Sequence, residues 1–255
     1  MNFIAEIGVC HNGDVNTALK MVDAAKECGA DCAKFQLFDA AKLGRPEIDH
    51  LSLSEAEMTV LKWHCDSVGI EFLCTPFDVE SVEFLTGMGV KRLKLGSGAM
   101  FDRPLQEAAA NTGLPIIAST GMCDMADLVE GMKPLNAVEN LTLLHCVSSY
   151  PLEPENANLR AIASLRRVFR RPVGYSDHSA NADVMLAAAA CGATVLEAHL
   201  TLDRSQRGPD HASSFEPAEL KETIRRARLV GAMLGTGEKR VQPCEVATRK
   251  VWKHD

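Results

Sequence analysis

Val173-Gly-Tyr-Ser-Asp-His-Ser179 and its continuation Val195-Leu-Glu-Ala-His-Leu-Thr201 decide the fold. Each begins as a short apolar run of strand character and ends in a polar cluster carrying one histidine, His178 and His199. Between them, Ala182 to Cys191 reads Ala-Asp-Val-Met-Leu-Ala-Ala-Ala-Ala-Cys, a helix-forming run closed by Gly192. Strand, helix and strand in that order make a right-handed crossover between parallel neighbours. The spacing therefore predicts both imidazoles at the carboxyl end of adjacent strands, within reach of one cation. A parallel α/β fold keeps its chemistry at that end.

The same alternation runs outward through the chain. Strands are predicted at 3–8, 32–36, 71–75, 92–95, 116–119 and 141–145 ahead of the opening pair. Helices are predicted over 16–28, from the Ser54-Glu-Ala-Glu57 capping box to Gly69, and over 79–86, 103–111, 125–132, 159–168 and 217–234. Eight βα units within 255 residues argue for closure into a single-domain α/β (β/α)₈ TIM barrel over 1–236, with a polar tail over 237–255. A doubly wound open sheet is the competing fold. It would carry a Gly-x-Gly-x-x-Gly turn after its first strand, and Glu6-Ile-Gly-Val-Cys-His11 has none.

Composition excludes several function classes. The chain is 46% hydrophobic and 24% charged with net charge −7, which supplies no basic stripe for nucleic acid. Its basic runs, Arg166-Arg167 with Arg170-Arg171 and Arg225-Arg226 with Arg228, fall on predicted outer helices as solvated faces. No apolar run is long enough for a bilayer, and the first residues enter a strand without a signal peptide's pattern. The nine cysteines form no Cys-x-x-Cys pair, and Cys28, Cys32, Cys74, Cys146 and Cys191 fall in apolar segments. They read as reduced core thiols of a cytoplasmic protein.

Polar residues collect where strands end: Glu6, Lys34 with Gln36, Thr75, Lys94 with Ser97, Ser119 with Thr120, His145 followed by Ser148 and Tyr150, Ser176 with Asp177 and His178, and Glu197 with His199. A lone strand lysine can simply snorkel from a barrel end. Two lysines, several hydroxyls and the Gly96-Ser-Gly98 turn on one rim suit a phosphate better. A single strand-end histidine can be structural. The pair His178 and His199, with Asp177, Glu197 and Asp210 nearby, suits a divalent Mn²⁺ or Mg²⁺ ion with open positions. Gly208-Pro-Asp-His211 reads as a turn or as a lid that carries Asp210 over the site.

These motifs stand in a recognisable order. Glu6-Ile-Gly with His11-Asn-Gly13, Lys34-Phe-Gln36, Cys74-Thr-Pro-Phe77, Lys94-Leu-Gly-Ser-Gly98, Ser119-Thr-Gly-Met122, Tyr150-Pro151, Ser176-Asp-His178, Glu197-Ala-His199 and Gly208-Pro-Asp-His211 resemble the sialic acid synthases. That family includes the legionaminate, pseudaminate and spore-coat polysaccharide relatives, and the resemblance runs from Phe3 to about Lys239. It implies a metal-assisted transferase that condenses phosphoenolpyruvate with an N-acetylmannosamine-like aldose, with C–O cleavage, to a 2-keto-3-deoxy nonulosonic acid and phosphate. Lys34, Thr75, Lys94, Ser97, Ser119 and Ser176 would hold phosphoenolpyruvate. His178 and His199 would bind the metal, and Gln36, Tyr150 and Asp210 would meet the sugar. Glu6, Lys34, Lys94 and Asp210 would act in catalysis, Glu6 by proton transfer.

Family members continue into a small C-terminal antifreeze-like domain that contributes an arginine across a swapped homodimer. This sequence stops at Asp255, near where that domain's linker would begin, and lacks the extra N-terminal segment of many relatives. A separate antifreeze-like chain or a different aldehyde is the expectation that follows. Two other readings compete: a non-catalytic barrel subunit, and a Schiff-base aldolase using a barrel lysine. Intact Glu6, Lys34, Lys94, His178 and His199 weigh against the first, because buried charges cost stability.

Overall fold

A computed structural model describes residues 1–253. Eight parallel strands form one sheet: β1 Asn2–Gly8, β2 Cys32–Leu37, β3 Glu71–Pro76, β4 Leu93–Leu95, β5 Ile116–Ser119, β6 Leu141–His145, β7 Val173–Asp177 and β8 Val195–His199. The ladder order is β3-β2-β1-β8-β7-β6-β5-β4. β3 and β4 lie side by side and close the ring without a regular ladder between them. The barrel expected from the alternation is the fold observed.

Helices α1 (Val15–Cys28), α2 (Glu55–Val68), α3 (Val79–Gly87), α4 (Arg103–Asn111), α5 (Met125–Gly131), α6 (Ala161–Phe169), α7 (Ala182–Ala190) and α8 (Pro217–Leu234) follow the strands in turn. Local chemistry starts most of them. Asp14, Ser54, Asp78, Asp102, Asp124 and Asn181 each accept a first-turn backbone N–H, a contribution of about 1 kcal/mol per cap. Gly29 and Gly69 end α1 and α2 in the left-handed conformation that glycine adopts without strain. α6 begins later than its apolar spacing suggests, because Pro154–Asn156 forms a 3-10 turn and Asn158 takes a positive φ ahead of it. Over 235–253 the chain is exposed and includes a short helix, α9 (Val246–Trp252).

Strand alternation then sorts the side chains. Phe3, Ala5 and Ile7 of β1 point outward into the large core shared with the helices. Ile4, Cys32, Leu73, Ile117, Leu144 and Val195 point inward and fill the barrel's middle layer. Below them Arg92 closes the floor, donating to Glu71, Asn2 and Cys32. Above them the next inward residues are polar on seven strands, Glu6, Lys34, Thr75, Lys94, Ser119, Ser176 and Glu197, with Cys146 following β6. The apolar layer is thus a dry floor for whatever occupies the mouth.

Gly174 shows how tight that layer is. A Cβ there would lie 2.3 Å from the Val195 carbonyl oxygen and 2.6 Å from Leu144 Cδ2. Backbone oxygen cannot step aside as a flexible side chain can. Gly174→Ala is therefore expected to destabilise the fold by about 2–3 kcal/mol or more, read from denaturant midpoints; a loss below 1 kcal/mol would refute the packing described.

Candidate active site

The carboxyl ends of the strands open into one cavity of about 590 Å³. Its lining includes Glu6, Lys34, Gln36, Thr75, Lys94, Ser97, Ser119, Tyr150, Ser176, His178, His199 and Asp210. Every residue to which the family resemblance gives a role is therefore gathered in one place. Register makes the neighbours: Glu6 pairs with Lys34 and His199, Gln36 with Thr75, and Ser176 with Glu197.

The base holds two buried lysines with unequal surroundings. Lys34 Nζ lies 2.8 Å from Glu6 Oε2 and 3.7 Å from Glu197 Oε2, and donates to Thr75 Oγ1. Burial works against its charge, but Glu197 and Glu6 outweigh burial and raise its pKa. Lys94 Nζ donates to Ser119 Oγ (2.6 Å) and to the Leu95 carbonyl (3.1 Å), with Glu197 Oε1 at 3.8 Å. Burial is its largest influence, and its pKa is lowered. Lys94 is the less neutralised of the two, and the better placed for an incoming anion.

Glu197 stands between them and accepts a hydrogen bond from Ser176 Oγ on Oε1 (3.0 Å). Burial raises its pKa, but Lys34 and Lys94 together hold it below the ordinary carboxylate range. This residue was expected beside the histidines; it belongs to the lysines. Alternation held the signal, since Glu197 and His199 share the inward face of β8. Cys146 and Ser148, inward from the end of β6, also line the cavity; Ser148 was expected among the rim hydroxyls, whereas Cys146 was read only as a core thiol. Gly121 lets them approach: a Cβ on it would lie 2.4 Å from Ser148 Oγ and 2.8 Å from Ser97 Oγ.

Two expectations, those for Asp177 and Cys191, need correction. Asp177 faces away from the cavity, accepting from Ser179 N (3.1 Å), Ser179 Oγ (2.7 Å) and Tyr175 Oη (3.3 Å). Its neighbours in sequence, Ser176 and His178, take the inward positions. Gly96-Ser-Gly98 lies on the cavity rim as the N-terminal turn of a 3-10 helix over Ser97–Phe101, with Ser97 Oγ accepting from Gly121 N. Cys191, read as a core thiol, is exposed at the end of α7.

The histidines meet as the crossover requires, with ring centroids 5.5 Å apart. His178 Nδ1 lies 2.7 Å from the Val147 carbonyl oxygen, so Nδ1 carries the proton and the Nε2 lone pair faces the cavity. Burial, followed by the neighbouring His199, pushes its pKa down to about 4, which keeps the ring neutral. Tyr150 Oη sits 3.1 Å from Nε2. His199 Nδ1 is buried without a hydrogen-bond partner, 3.6 Å from Asp210 Oδ2. The His178 Nε2 lone pair, the unpartnered His199 Nδ1 and the Asp210 carboxylate suit a divalent cation that keeps open positions. Among the described residues no three His, Cys, Asp or Glu form a ready metal cage.

Asp210 is held over the cavity by its neighbour. His211 Nδ1 lies 2.8 Å from Thr201 Oγ1, and Nε2 lies 3.2 Å from Asn12 Oδ1. His145 and His11 are structural: His145 Nε2 donates to Ala157 O (2.8 Å), and His11 Nδ1 accepts from Gly13 N (3.0 Å). Burial lowers the His11 pKa from 6.5 to about 4. The unfolded chain binds that proton first as pH falls, so this stability is present above pH 6.5 and lost on descent towards pH 4. His11→Asn is expected to flatten the slope of stability in that window by on the order of 2–3 kcal/mol, read from denaturant midpoints at its two ends. An unchanged slope would refute the assignment.

A barrel mouth that gathers buried lysines, hydroxyls and paired buried imidazoles defines a (β/α)₈ enzyme. The chain belongs to the NeuB family, whose model matches residues 47–239. It is 40% identical to N,N'-diacetyllegionaminic acid synthase of Legionella pneumophila, over 96% of this chain and 76% of that one. It is also 40% identical to N-acetylneuraminate-9-phosphate synthase of Homo sapiens, over 96% of this chain and 74% of that one. The crystal structure of N-acetylneuraminic acid synthetase from Leptospira borgpetersenii superposes with a TM-score of 0.93 at 34% identity, covering 98% of this chain and 90% of that one. The chain is thus a synthase of the phosphoenolpyruvate-dependent transferase kind, making a sugar acid. Among the described residues, no helix is long and apolar enough to cross a membrane.

Proposed function

We propose that this enzyme joins phosphoenolpyruvate to the open-chain aldehyde of an N-acetylmannosamine-like aldose, giving a nonulosonic acid and phosphate. The observation that carries the reading is the unequal lysine pair: Lys94 lies buried and under-neutralised beside Ser119, with Ser97 and Ser176 on the same cavity wall. Lys34, Thr75, Lys94, Ser97, Ser119 and Ser176 hold the carboxylate and phosphate of phosphoenolpyruvate. Gln36, Tyr150 and Asp210 hold the sugar.

The chemistry follows from these positions. C3 of phosphoenolpyruvate adds to the aldehyde carbon while both partners are held at attack distance. Glu6, hydrogen-bonded by Gln36 Nε2 (2.8 Å), serves proton transfer at the new hydroxyl. Water adds at C2, the C2–O bond breaks, and the lysines neutralise the departing phosphate. A divalent Mn²⁺ or Mg²⁺ ion, held by His178 Nε2 and His199 with Asp210 alongside, would supply Lewis-acid polarisation of the aldehyde oxygen. The residues at 1–236 make this catalytic unit and 237–255 a trailing arm. We place the enzyme in the cytoplasm, its cysteines reduced, with a homodimer partner.

Relatives of equal identity are named for different sugars, so similarity leaves the acceptor open. The test is phosphate release from phosphoenolpyruvate with Mn²⁺ over a panel of aldoses, with His178→Ala as control. Release that depends on both sugar and metal is the expected result. Silence across the panel, with no binding of phosphoenolpyruvate, would sink the reading.

A further inference from the structure

The His11-Asn-Gly13 turn that follows β1 lies outside the cavity lining, yet it grips the loop that carries Asp210. The turn is tightly bonded. Cys10 N, Asn12 N and Asp14 N donate to the Ile7, Val9 and His11 carbonyls at 2.9, 3.0 and 3.0 Å. Asn12 sits there at a positive φ of 52, a backbone that asparagine tolerates better than most side chains. Its amide uses both ends on the loop between β8 and α8. Nδ2 donates to Gln206 Oε1 (3.0 Å), and Oδ1 accepts from His211 Nε2 (3.2 Å). An amide oxygen only accepts, so Nε2 of His211 carries the proton in this contact.

These two partners bracket Asp210. Between them Arg207, Gly208 and Pro209 are exposed, and Pro209 and Asp210 line the cavity. The loop passes close to the latch: a Cβ on Gly208 would lie 2.7 Å from His211 Cδ2 and 3.3 Å from Asn12 Oδ1. The first turn also reaches the far side of Asp210. Ser214 Oγ donates to the Asp210 carbonyl (2.7 Å) and lies 3.5 Å from Cys10 Sγ. The Asp210 carboxylate itself ends in a narrow place. A Cβ on Gly8 would lie 3.0 Å from its Oδ2, 3.2 Å from Glu6 Oε1 and 3.3 Å from Gln36 Nε2. Three polar tips therefore converge in one small volume, where a displacement of about 1 Å lowers a rate by about a hundredfold.

We infer that Asn12 is a positioning residue of the reaction: both ends of its amide latch the β8–α8 loop to the first turn and so fix Asp210 over the cavity. The inference rests on the synthase reading above, which gives Asp210 its place at the sugar. Asn12 acts through Asp210 and touches no reacting atom. A turn residue kept only for its positive φ would behave differently, because glycine takes that backbone freely and would replace it without loss.

The test is Asn12→Gly in the full chain, with Mn²⁺, phosphoenolpyruvate and the aldose of the panel that is turned over fastest. Its kcat/KM for the aldose should fall by about ten- to a hundredfold, while KM for phosphoenolpyruvate stays within about twofold. Trypsin should cut after Arg207 about tenfold faster, since two hydrogen bonds no longer hold the loop down. Asn12→Asp keeps the acceptor for His211 and offers its second oxygen to a turned Gln206 amide, so activity should return to within about threefold. Asn12→Gly combined with Asp210→Ala should be no slower than Asp210→Ala alone, because the latch then has nothing to position. If Asn12→Gly does not fold, Gln206→Ala, at an exposed position, removes half of the latch and should show the same split at smaller size. Full activity in the folded variant, unchanged cleavage after Arg207, or losses that multiply with those of Asp210→Ala overturn the inference and leave the synthase standing. Silence of the unaltered protein with every aldose overturns the synthase reading and takes the inference with it.

Discussion

Lys94→Met is expected to cut kcat/KM for phosphoenolpyruvate by about a thousandfold while leaving the fold within about 1 kcal/mol of its original stability. The two effects separate because of where the charge sits. Burial dominates around Lys94 and lowers its pKa, so the charged ammonium is a cost to the ligand-free fold. Methionine removes that cost and keeps most of the apolar stem. The same replacement at Lys34 should behave differently. Glu6 and Glu197 stabilise that charge beyond its burial cost, and losing it strands two buried carboxylates. Lys34→Met is expected to lose activity and about 3 kcal/mol of stability together. Thermal or denaturant melts of the two variants decide the matter. Equal destabilisation would mean that both lysines are structural, and that the asymmetry does not mark an anion site.

His178→Ala is expected to abolish Mn²⁺ binding measured by calorimetry and to lower turnover by about a thousandfold, without loss of fold. The geometry gives the reason. Val147 fixes the proton on Nδ1 and burial keeps the ring neutral, so the residue presents a lone pair in a cavity that nothing but Tyr150 Oη meets. Removing Tyr150 Oη with Tyr150→Phe should leave the lone pair in place and Mn²⁺ affinity within about tenfold. If His178→Ala still bound Mn²⁺ at the original affinity, the two histidines would be a structural pair and the ion would belong elsewhere. Addition of a chelator should silence the original protein to the same degree as the substitution.

Much of this was legible from residue order alone. The crossover between His178 and His199 fixed parallel neighbours, and the Ser54 capping box set a boundary that holds to within a residue or two. Site residues were legible because a barrel puts every strand's end at one rim. What was missed follows from the face a residue takes. Asp177 and Glu197 look alike in sequence, yet alternation sends one outward to Tyr175 and Ser179 and the other inward to the lysines. The apolar wall that Val9, Phe38, Ile48 and Phe77 give the cavity was missed for another reason. Phe38 and Ile48 lie in the long β2–α2 connection, which has no periodicity to read, and only packing against Val9 and Phe77 gives them a direction. Ser97 was correctly placed on the rim, but its local backbone is a helical turn that glycines alone could not specify.

The most direct measurement uses phosphoenolpyruvate carrying oxygen-18 at the bridge between C2 and phosphorus, turned over with an unphosphorylated N-acetylated aldose. If Lys34 and Lys94 hold the phosphate while water adds at C2, the bond that breaks is C2–O, and the released phosphate carries the label. The sugar acid then carries none. Label retained in the sugar acid, or in free pyruvate, would mean cleavage at phosphorus and would contradict the proposed chemistry.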